Sequence, residues 1–446
     1  MKILIVNGSP KGKYSITLQT CLYLKEIFKE HEFEILNVGQ QIKKFELDMK
    51  DAIESIKRND LIIFSYPVYT FIAPSQLHRF INLLKKENID LSDKFATQIT
   101  TSKHFYDVTA HKYIEENCYD LNLKYIKGLS ADMEDLTNKK GQKYAIDFLN
   151  YVIYCVNNNI YESKIIYDSN IQEYIPINQN VSKDITKDVV LVANLTNDDI
   201  RLKNMIDDFV NSFKFPVRIV NINDFNFHGG CLGCFNCASD GKCIYKDNFD
   251  DFLRNKIQQA DAIVLAFSIQ DHSMGYKFKM YDDRQFCNGH RTVTEGKPFA
   301  YIINGNYKNE PNLNMIVDAR AEVGHNFLAG VAYDNNTMKS TIDKLEFAIN
   351  NNYVSPRNFY GIGGMKIFRD LIWVMRGIMK ADHKFYKKHG VYDFPQKQRG
   401  KMLLMCFLGS LMRNKKIKAK MGNKMNEGMI APYQKVINKA KNSIKK

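Results

Sequence analysis

The chain has 446 residues, of which 45% are hydrophobic and 25% charged. This is ordinary globular composition with length for about three domains of ~150 residues, and it excludes a largely disordered, collagen-like or repeat-dominated protein. The net charge of +14 is confined to one end: residues 351–446 carry 22 basic and four acidic side chains, while the other 350 residues hold 41 and 45. A mildly acidic body with a basic tail argues against reading the whole protein as a nucleic-acid binder. No apolar run approaches the ~20 residues of a membrane span; the longest, Met402 to Met412, is interrupted by Gly409 and Ser410. Met1 leads directly into a strand-like run with no small-residue cleavage site, so the expectation is a cytoplasmic protein without a signal peptide.

Taken in chain order, Ile3 to Val6 is a continuous apolar run of the kind found in strands covered on both faces. Gly8-Ser9-Pro10-Lys11-Gly12-Lys13-Tyr14-Ser15-Ile16-Thr17 follows, and then Leu18, Cys21, Leu22, Leu24, Ile27 and Phe28 recur at helical spacing. A loop between a strand end and a helix start presents free amides to a phosphate; Ser9, Ser15 and Thr17 add hydroxyls and Lys11 a charge. It is not a Walker loop, and on its own it reads equally as a helix cap. A second strand, Leu61 to Ser65, precedes the aromatic loop Tyr66-Pro67-Val68-Tyr69-Thr70-Phe71-Ile72-Ala73-Pro74 and a helix from Ser75. A third, around Ala96 to Ile99, precedes the polar loop Thr100-Thr101-Ser102-Lys103-His104-Phe105-Tyr106-Asp107. Strands alternating with amphipathic stretches imply a parallel sheet with helices on both faces. Its ligand crevice lies at the strands' carboxyl ends, where these three loops fall. His104 and His111 have no sequence-visible partners and are assigned no role.

Residues 158–187 are polar and read as an inter-domain connection. The pattern then returns: Val189 to Val192 matches Ile3 to Val6 at an offset of 186, Asp261 to Leu265 matches Asp60 to Phe64 at 201, and Phe299-Ala300 matches Phe95-Ala96 at 204. A cysteine cluster lies where the offset jumps. The expected organisation is a duplicated α/β domain at 1–157 and 188–350, with a basic helical region at 351–446.

Gly8-Ser9-Pro10-Lys11 and Tyr66-Pro67-Val68-Tyr69 resemble the phosphate loop and second flavin loop of the flavodoxin-like NAD(P)H-dependent flavin reductases, a group that includes the iron–sulfur flavoproteins. The resemblance covers about 150 residues and, more weakly, a similar length of the second copy. It implies doubly wound sheets of order 2-1-3-4-5, bound FMN, and one- or two-electron transfer with NAD(P)H or a reduced carrier. By position, Ser9, Lys11, Ser15 and Thr17 would hold the phosphate. Pro67, Val68, Tyr69, Thr70 and Phe71 would line the ring, and Thr101, Ser102, Lys103 and His104 would close its other edge. Ordinary loop packing is an equal reading for Tyr69 or Phe71 taken singly.

The second copy lacks both loops. Asn194-Leu195-Thr196-Asn197-Asp198-Asp199 puts carboxylates where a phosphate would sit, so FMN is expected to be lost there. What survives is Lys279 and Asp283-Arg284 on the following helix. It adds Cys231, Cys234, Cys237 and Cys243 in the spacing C-x2-C-x2-C-x5-C. Four thiolates from one compact loop can wrap a cubane, whereas structural zinc more often takes two separated pairs. The other cysteines (Cys21, Cys118, Cys155, Cys287, Cys406) are scattered, and disulfides do not suit the cytoplasm. The spacing is also that of the iron–sulfur flavoprotein motif, which implies a [4Fe–4S] cluster; a zinc-filled or empty loop remains the alternative. In those homo-oligomeric relatives the cluster of one subunit serves the flavin of another. The expectation is therefore one chain in which the cysteine loop faces residues 9 to 104.

The C-terminal region reads as helices, with apolar stripes at Ile367, Leu371, Trp373 and Ile378 and at Met402, Leu403, Met405, Cys406, Leu408 and Leu411, then the basic run 415–420. It is expected to cap the domains with a solvated basic face, or to meet an anionic membrane or an acidic redox partner such as ferredoxin. The function expected is an NAD(P)H-dependent flavin oxidoreductase passing electrons to a small-molecule or protein acceptor. Its alternatives are a non-catalytic electron carrier, and a redox sensor held to a membrane or nucleic acid by the tail.

Overall fold

The computed structural model describes residues 1–164, 173–177 and 180–411. The chain forms two compact units, Met1–Phe385 and Tyr386–Lys446. The first contains two parallel sheets. One is built from β1 (Lys2–Asn7), β2 (Glu32–Leu36), β3 (Leu61–Pro67), β4 (Phe95–Ser102), β5 (Lys124–Tyr125) and β6 (Leu129–Asp132). Its order is β2-β1-β3-β4-β5, with β6 also paired to β4. The other comprises β7 (Val189–Ala193), β8 (Val217–Asn221), β9 (Ala262–Ser268), β10 (Phe299–Asn304) and β11 (Leu328–Ala332), and its order is again 2-1-3-4-5: β8-β7-β9-β10-β11.

The apolar runs become central strands because both faces are covered. Ile3 and Ile5 pack with Leu18, Cys21, Leu24, Ile63, Leu149 and Val152 in the first domain. Val189 and Leu191 pack with Leu202, Phe209, Val264, Ile302 and Leu345 in the second. The helix Lys139–Asn157 closes the first domain and Asn335–Asn351 the second. Between them, Tyr174 of the connection is buried in the second core, its hydroxyl donating to Asp208 at 2.9 Å. Residues 165–172 and 178–179 of that connection lie outside the described residues.

The sequence offsets recur as matching hydrogen bonds. Asp60 accepts from the Lys2 amide at 2.8 Å, and Asp261 from the Asp188 amide at 2.9 Å. Gly8 N donates to Ser65 O, and Asn194 N to Ala266 O, both at 2.9 Å. After β3, Tyr69 and Ile72 pair across a turn whose tip, Thr70 and Phe71, is left-handed (φ 39° and 71°). After β9, Gln270 and Ser273 pair across the same turn, with Asp271 and His272 at φ 54° and 61°. The helices that follow, Ser75–Lys86 and Gly275–Arg284, are counterparts and pack against each other. Equivalent surfaces therefore meet, as they do across an isologous two-fold interface.

The compact division falls at Phe385, later than the composition break at 350. The helix Phe359–Val374 packs on Pro311–Gly324, with Gly361 and Gly364 at the contact; a Cβ on Gly364 would lie 2.8 Å from Val323. The buried face is Gly361, Gly364, Met365, Arg369 and Ile372. The expected stripe does not form that face: Trp373 and Ile378 are exposed, because small residues set the close approach and turn the bulky ones outward. Asp382 then ties the segment to the second domain, accepting from the His290 amide at 3.3 Å. In the second unit, the helix Arg399–Leu411 has no buried residue, so the stripe from Met402 to Leu411 is not a core face there. The basic run 415–420 lies outside the described residues, among which no helix is long and apolar enough to cross a membrane.

Candidate functional site

The loop after β1 is shaped by Asn7. Its Nδ2 donates to Gly12 O at 3.1 Å and to Asn37 Oδ1 at 2.8 Å, and its Oδ1 accepts from Ser9 N at 3.2 Å. Ser9 Oγ accepts from Lys11 N, and Ser15 Oγ caps the helix Ile16–Ile27 by accepting from Leu18 N, each at 3.3 Å. These two hydroxyls thus fix the loop's own backbone while keeping their protons free to donate. Thr17 Oγ1 is buried and has no hydrogen-bond partner. A buried hydroxyl without a partner is costly, and its place in the first turn of the helix suits a phosphate.

The loop after β3 is clamped from the second domain. Lys279 Nζ donates to Tyr69 O at 2.9 Å and also meets Thr70 Oγ1 and Asp283. Asp283 accepts from Thr70 Oγ1 at 2.6 Å and from Ser75 N at 2.9 Å. Lys279 and Asp283 are fully buried, one helical turn apart. Burial pushes the Asp283 carboxyl above its ordinary range, and the Lys279 ammonium opposes that. Two successive left-handed non-glycine residues are strained, and this clamp holds them.

The loop after β4 meets the second loop through aromatic rings: Phe71 lies 4.9 Å from Phe105 and 4.7 Å from Tyr106. Phe71 is therefore buried in that cluster rather than forming an open wall for a ring. Lys103 turns away to Asp132 at 2.8 Å, and His104 Nδ1 pairs with Asp107 at 2.8 Å. Ser102 Oγ accepts from His104 N at 2.9 Å. Thr101 Oγ1 is a second buried hydroxyl without a partner. His111 bonds Thr100 Oγ1 at 2.8 Å and is pushed down to about 4 by burial, which keeps it neutral and structural.

The cysteine loop sits on these residues. Gln76 Nε2 donates to Cys231 O at 3.3 Å. Gly230 lies so close to Ser75, and Gly233 (φ +59°) to the Tyr69 hydroxyl, that a Cβ at either would overlap them; at Gly233 it would also be 3.3 Å from Lys11 Cε. Lys11 Nζ lies 5.2 Å over the Phe235 ring. Burial holds Lys11 below the usual lysine range, and its neighbours Cys234 and Cys231 act in the opposite sense. Arg284 anchors the loop from behind, donating to Gly229 O at 2.9 Å and to both Asp247 oxygens at 2.7 Å. Arg254 and Arg291 both donate to Cys287 O at 3.2 Å, and Arg254 also reaches Gly241 O.

All nine cysteines are free thiols. Burial pushes Cys237 up to about 11 and Cys231 higher, with neighbouring cysteines adding to each. A bound cationic centre would reverse that penalty, and the surrounding Lys11, Arg254, Arg284 and Arg291 complement an anionic thiolate cluster. Four thiols on one compact loop, ringed by cationic side chains, are a donor set that suits a cubane.

In the second domain the corresponding crevice is cross-braced. Ser268 Oγ donates to Asp199 at 3.0 Å and accepts from Asn304 Nδ2 at 2.9 Å. Arg201 donates to Asn304 Oδ1 at 2.6 Å and to Tyr333 O at 3.0 Å. The ends of β7, β9 and β10 thus bond to one another.

The structure brings Lys11, Tyr69, Thr70 and the cysteine loop together; it diverts Phe71 and Lys103 to packing and an ion pair. The sequence marks Lys279, Asp283 and Arg284 but not what they hold, although the i,i+4 spacing of Lys279 and Asp283 hints at a pair. Nothing in the sequence marks Gln76, Arg254 or Arg291.

Residues 1–112 match the family model described as NADPH-dependent FMN reductase. An iron–sulfur flavoprotein of Archaeoglobus fulgidus is 25% identical over 189 residues, covering 40% of this chain and 85% of that protein. Similar solved structures include an NAD(P)H:quinone oxidoreductase from Methanothermobacter marburgensis (12% identity, TM-score 0.29, 37% of this chain and 99% of that one). Another is an FMN-dependent NADH-azoreductase from Bacillus anthracis in complex with FMN (14% identity, TM-score 0.28, 34% and 98%). The resemblance read from the two loops is thus found again in the family model over residues 1–112, and an iron–sulfur flavoprotein is among the relatives.

Proposed function

We propose that this chain is a flavin-dependent oxidoreductase in which the first domain holds FMN and Cys231, Cys234, Cys237 and Cys243 of the second hold a [4Fe–4S] cluster. When bound, the flavin supplies two-electron chemistry with a nicotinamide or reduced carrier and one-electron chemistry with the cluster. Ser9, Lys11, Ser15 and Thr17 hold the phosphate, the segment from Pro67 to Thr70 borders the ring, and Thr101 donates at its far edge. Lys279 and Asp283 fix the aromatic loop, and Gln76 and Arg284 fix the cysteine loop against it. The acceptor is a small molecule or a redox protein such as a ferredoxin.

One observation carries this reading: Gly233, between Cys231 and Cys234, packs against Tyr69 and Lys11 of the two flavin loops within the same chain. The matching hydrogen bonds at the offsets of 186 and 201 support a tandem duplication whose copies have divided the two cofactors between them. The test is anaerobic purification with flavin, iron and acid-labile sulfide assayed on one sample. One flavin with about four iron and four sulfide per chain is expected; the absence of both cofactors refutes the proposal, and two flavins refute the loss of the second pocket. NAD(P)H turnover with a quinone separates an enzyme from a carrier.

For the C-terminal region the proposed partner is an anionic membrane surface. In the helix Arg399–Leu411, Met402, Leu403, Leu404, Met405 and Phe407 are each more than half exposed. Lys397, Arg399 and Lys401 precede or open that apolar stretch. Sedimentation with phosphatidylserine-containing vesicles, but not with neutral ones, is expected; equal behaviour with both refutes it.

A further inference from the structure

A second cluster at the junction of the two domains belongs to neither cofactor. Glu116, on the helix Asp107–Asp120 of the first domain, and His272 and Glu310 of the second each place one ligand atom within 4.8 Å of the other two. Glu116 is 3% exposed, and neither of its carboxylate oxygens has a hydrogen-bond partner. His272 Nδ1 lies 3.1 and 3.0 Å from the two Glu310 oxygens, and its Nε2 lies 3.0 Å from Asp120. Lys85 pairs with Asp120 at 2.7 Å and Asp271 at 3.1 Å. Glu116, Glu310, Asp120 and Asp271 face Lys85, His272 and the Lys112–Glu115 pair, leaving an acidic surplus around a buried, unpartnered carboxylate. Such a group is expensive unless a cation or donor completes it.

The mirrored place in the molecule shows that the fold does not require this arrangement. Under the same offsets His272 corresponds to Phe71, Glu310 to Tyr106 and Glu116 to Arg320. There Phe71 packs on Tyr106 at 4.7 Å, and Arg320 covers the Phe71 ring at 5.5 Å while pairing with Asp282. One side of the junction is closed by rings and a paired guanidinium; the other presents an imidazole and two carboxylates.

We propose that Glu116, His272 and Glu310 form a site for one first-row divalent cation that bridges the two domains. Two oxygens and one nitrogen suit such ions, whereas the cysteine loop offers only soft sulfur. Coordination through His272 Nδ1 leaves Nε2 donating to Asp120, the second-shell partner that metal-bound histidines ordinarily have. The ligands come from both domains, so the ion joins them.

The test is Mn²⁺ titration of the full chain followed by electron paramagnetic resonance of the free ion, since Mn²⁺ avoids thiolates. One bound Mn²⁺ per chain is expected. Glu116→Gln and His272→Phe should each weaken it at least tenfold, and Cys243→Ser should leave it unchanged. His272→Phe installs the side chain the mirrored site already carries, and circular dichroism verifies that each variant is folded. No binding at millimolar Mn²⁺, or binding that a folded Glu116→Gln or His272→Phe variant retains in full, overturns the site.

Discussion

Replacing Asp283 with leucine tests the clamp on the aromatic loop. Asp283 is fully buried and accepts from Lys279, Thr70 and the Ser75 amide. Its removal leaves the buried Lys279 ammonium with only Asp282, 3.7 Å away and itself paired with Arg320, and breaking a buried pair in this way costs about 3–5 kcal/mol. Removing both charges, as in Lys279→Met with Asp283→Leu, leaves neither member of the pair as an uncompensated charge and forfeits their hydrogen bonds to Tyr69, Thr70 and Ser75, at ~1 kcal/mol each. The double variant is therefore expected to be about 2 kcal/mol more stable than Asp283→Leu alone. At roughly 2 °C per kcal/mol for a unit of this size, the single change lowers the melting temperature by about 6–10 °C and the double change by about half that. Both release the strained turn at Thr70 and Phe71, so both should weaken FMN binding, about tenfold or more, measured by quenching of flavin fluorescence. The assay is a thermodynamic cycle of the four proteins by urea unfolding. Strictly additive costs, or a double variant as unstable as the sum of the singles, would refute the claim that the pair acts as a buried ionic unit.

Three further outcomes are expected. Thr17→Val should lower FMN affinity about tenfold without lowering the melting temperature of the flavin-free protein, because Thr17 Oγ1 has no protein partner to lose; a loss of stability would show that the hydroxyl is structural. Gly233→Ala forces a Cβ onto the Tyr69 hydroxyl at a left-handed position, so it should weaken flavin binding, and adding Tyr69→Phe should recover part of the loss in the same titration. Glu34, held by Arg58 and Asn59, has its pKa lowered from 4.5 to about 2. Its contribution is thus present above pH 4.5 and lost as pH falls toward 2; melting temperatures across that window should drop more steeply in the wild type than in Glu34→Gln.

The sheets were legible because Ile3 to Val6, Leu61 to Phe64 and Val189 to Val192 are apolar at every position, a pattern that suits a strand covered on both faces. The recurring strand pattern showed through landmarks in the same order at offsets of 186, 201 and 204, and the cysteine loop through spacing alone. What the sequence hid were contacts between elements far apart in the chain. Nothing local reveals that Asp283 caps Ser75, or that Asp382 binds the His290 amide across the second domain. The misread stripe at Ile367 to Ile378 has a related cause: Gly361 and Gly364 contribute no hydrophobic signal, yet they decide which helix face can approach its neighbour. Phe71 and Lys103 likewise have side chains suited to a flavin, and only their neighbours Phe105 and Asp132 show that they are engaged elsewhere.

The near-symmetry of the junction has an evolutionary consequence. When two identical chains meet across a two-fold axis, every substitution appears twice, so a side chain that improves one face must be tolerable at its mirror image. Under the proposed duplication, joining the halves in a single chain removes that constraint. Lys279 can clamp a loop while its counterpart His78 stacks on Tyr113, 4.0 Å away between ring centres, and Asp283 can anchor Thr70 while its counterpart Asn82 accepts from Arg79 at 3.3 Å and donates to Asp271 at 3.4 Å. Each half is free to drift into work the other does not do, and selection acts on one site at a time.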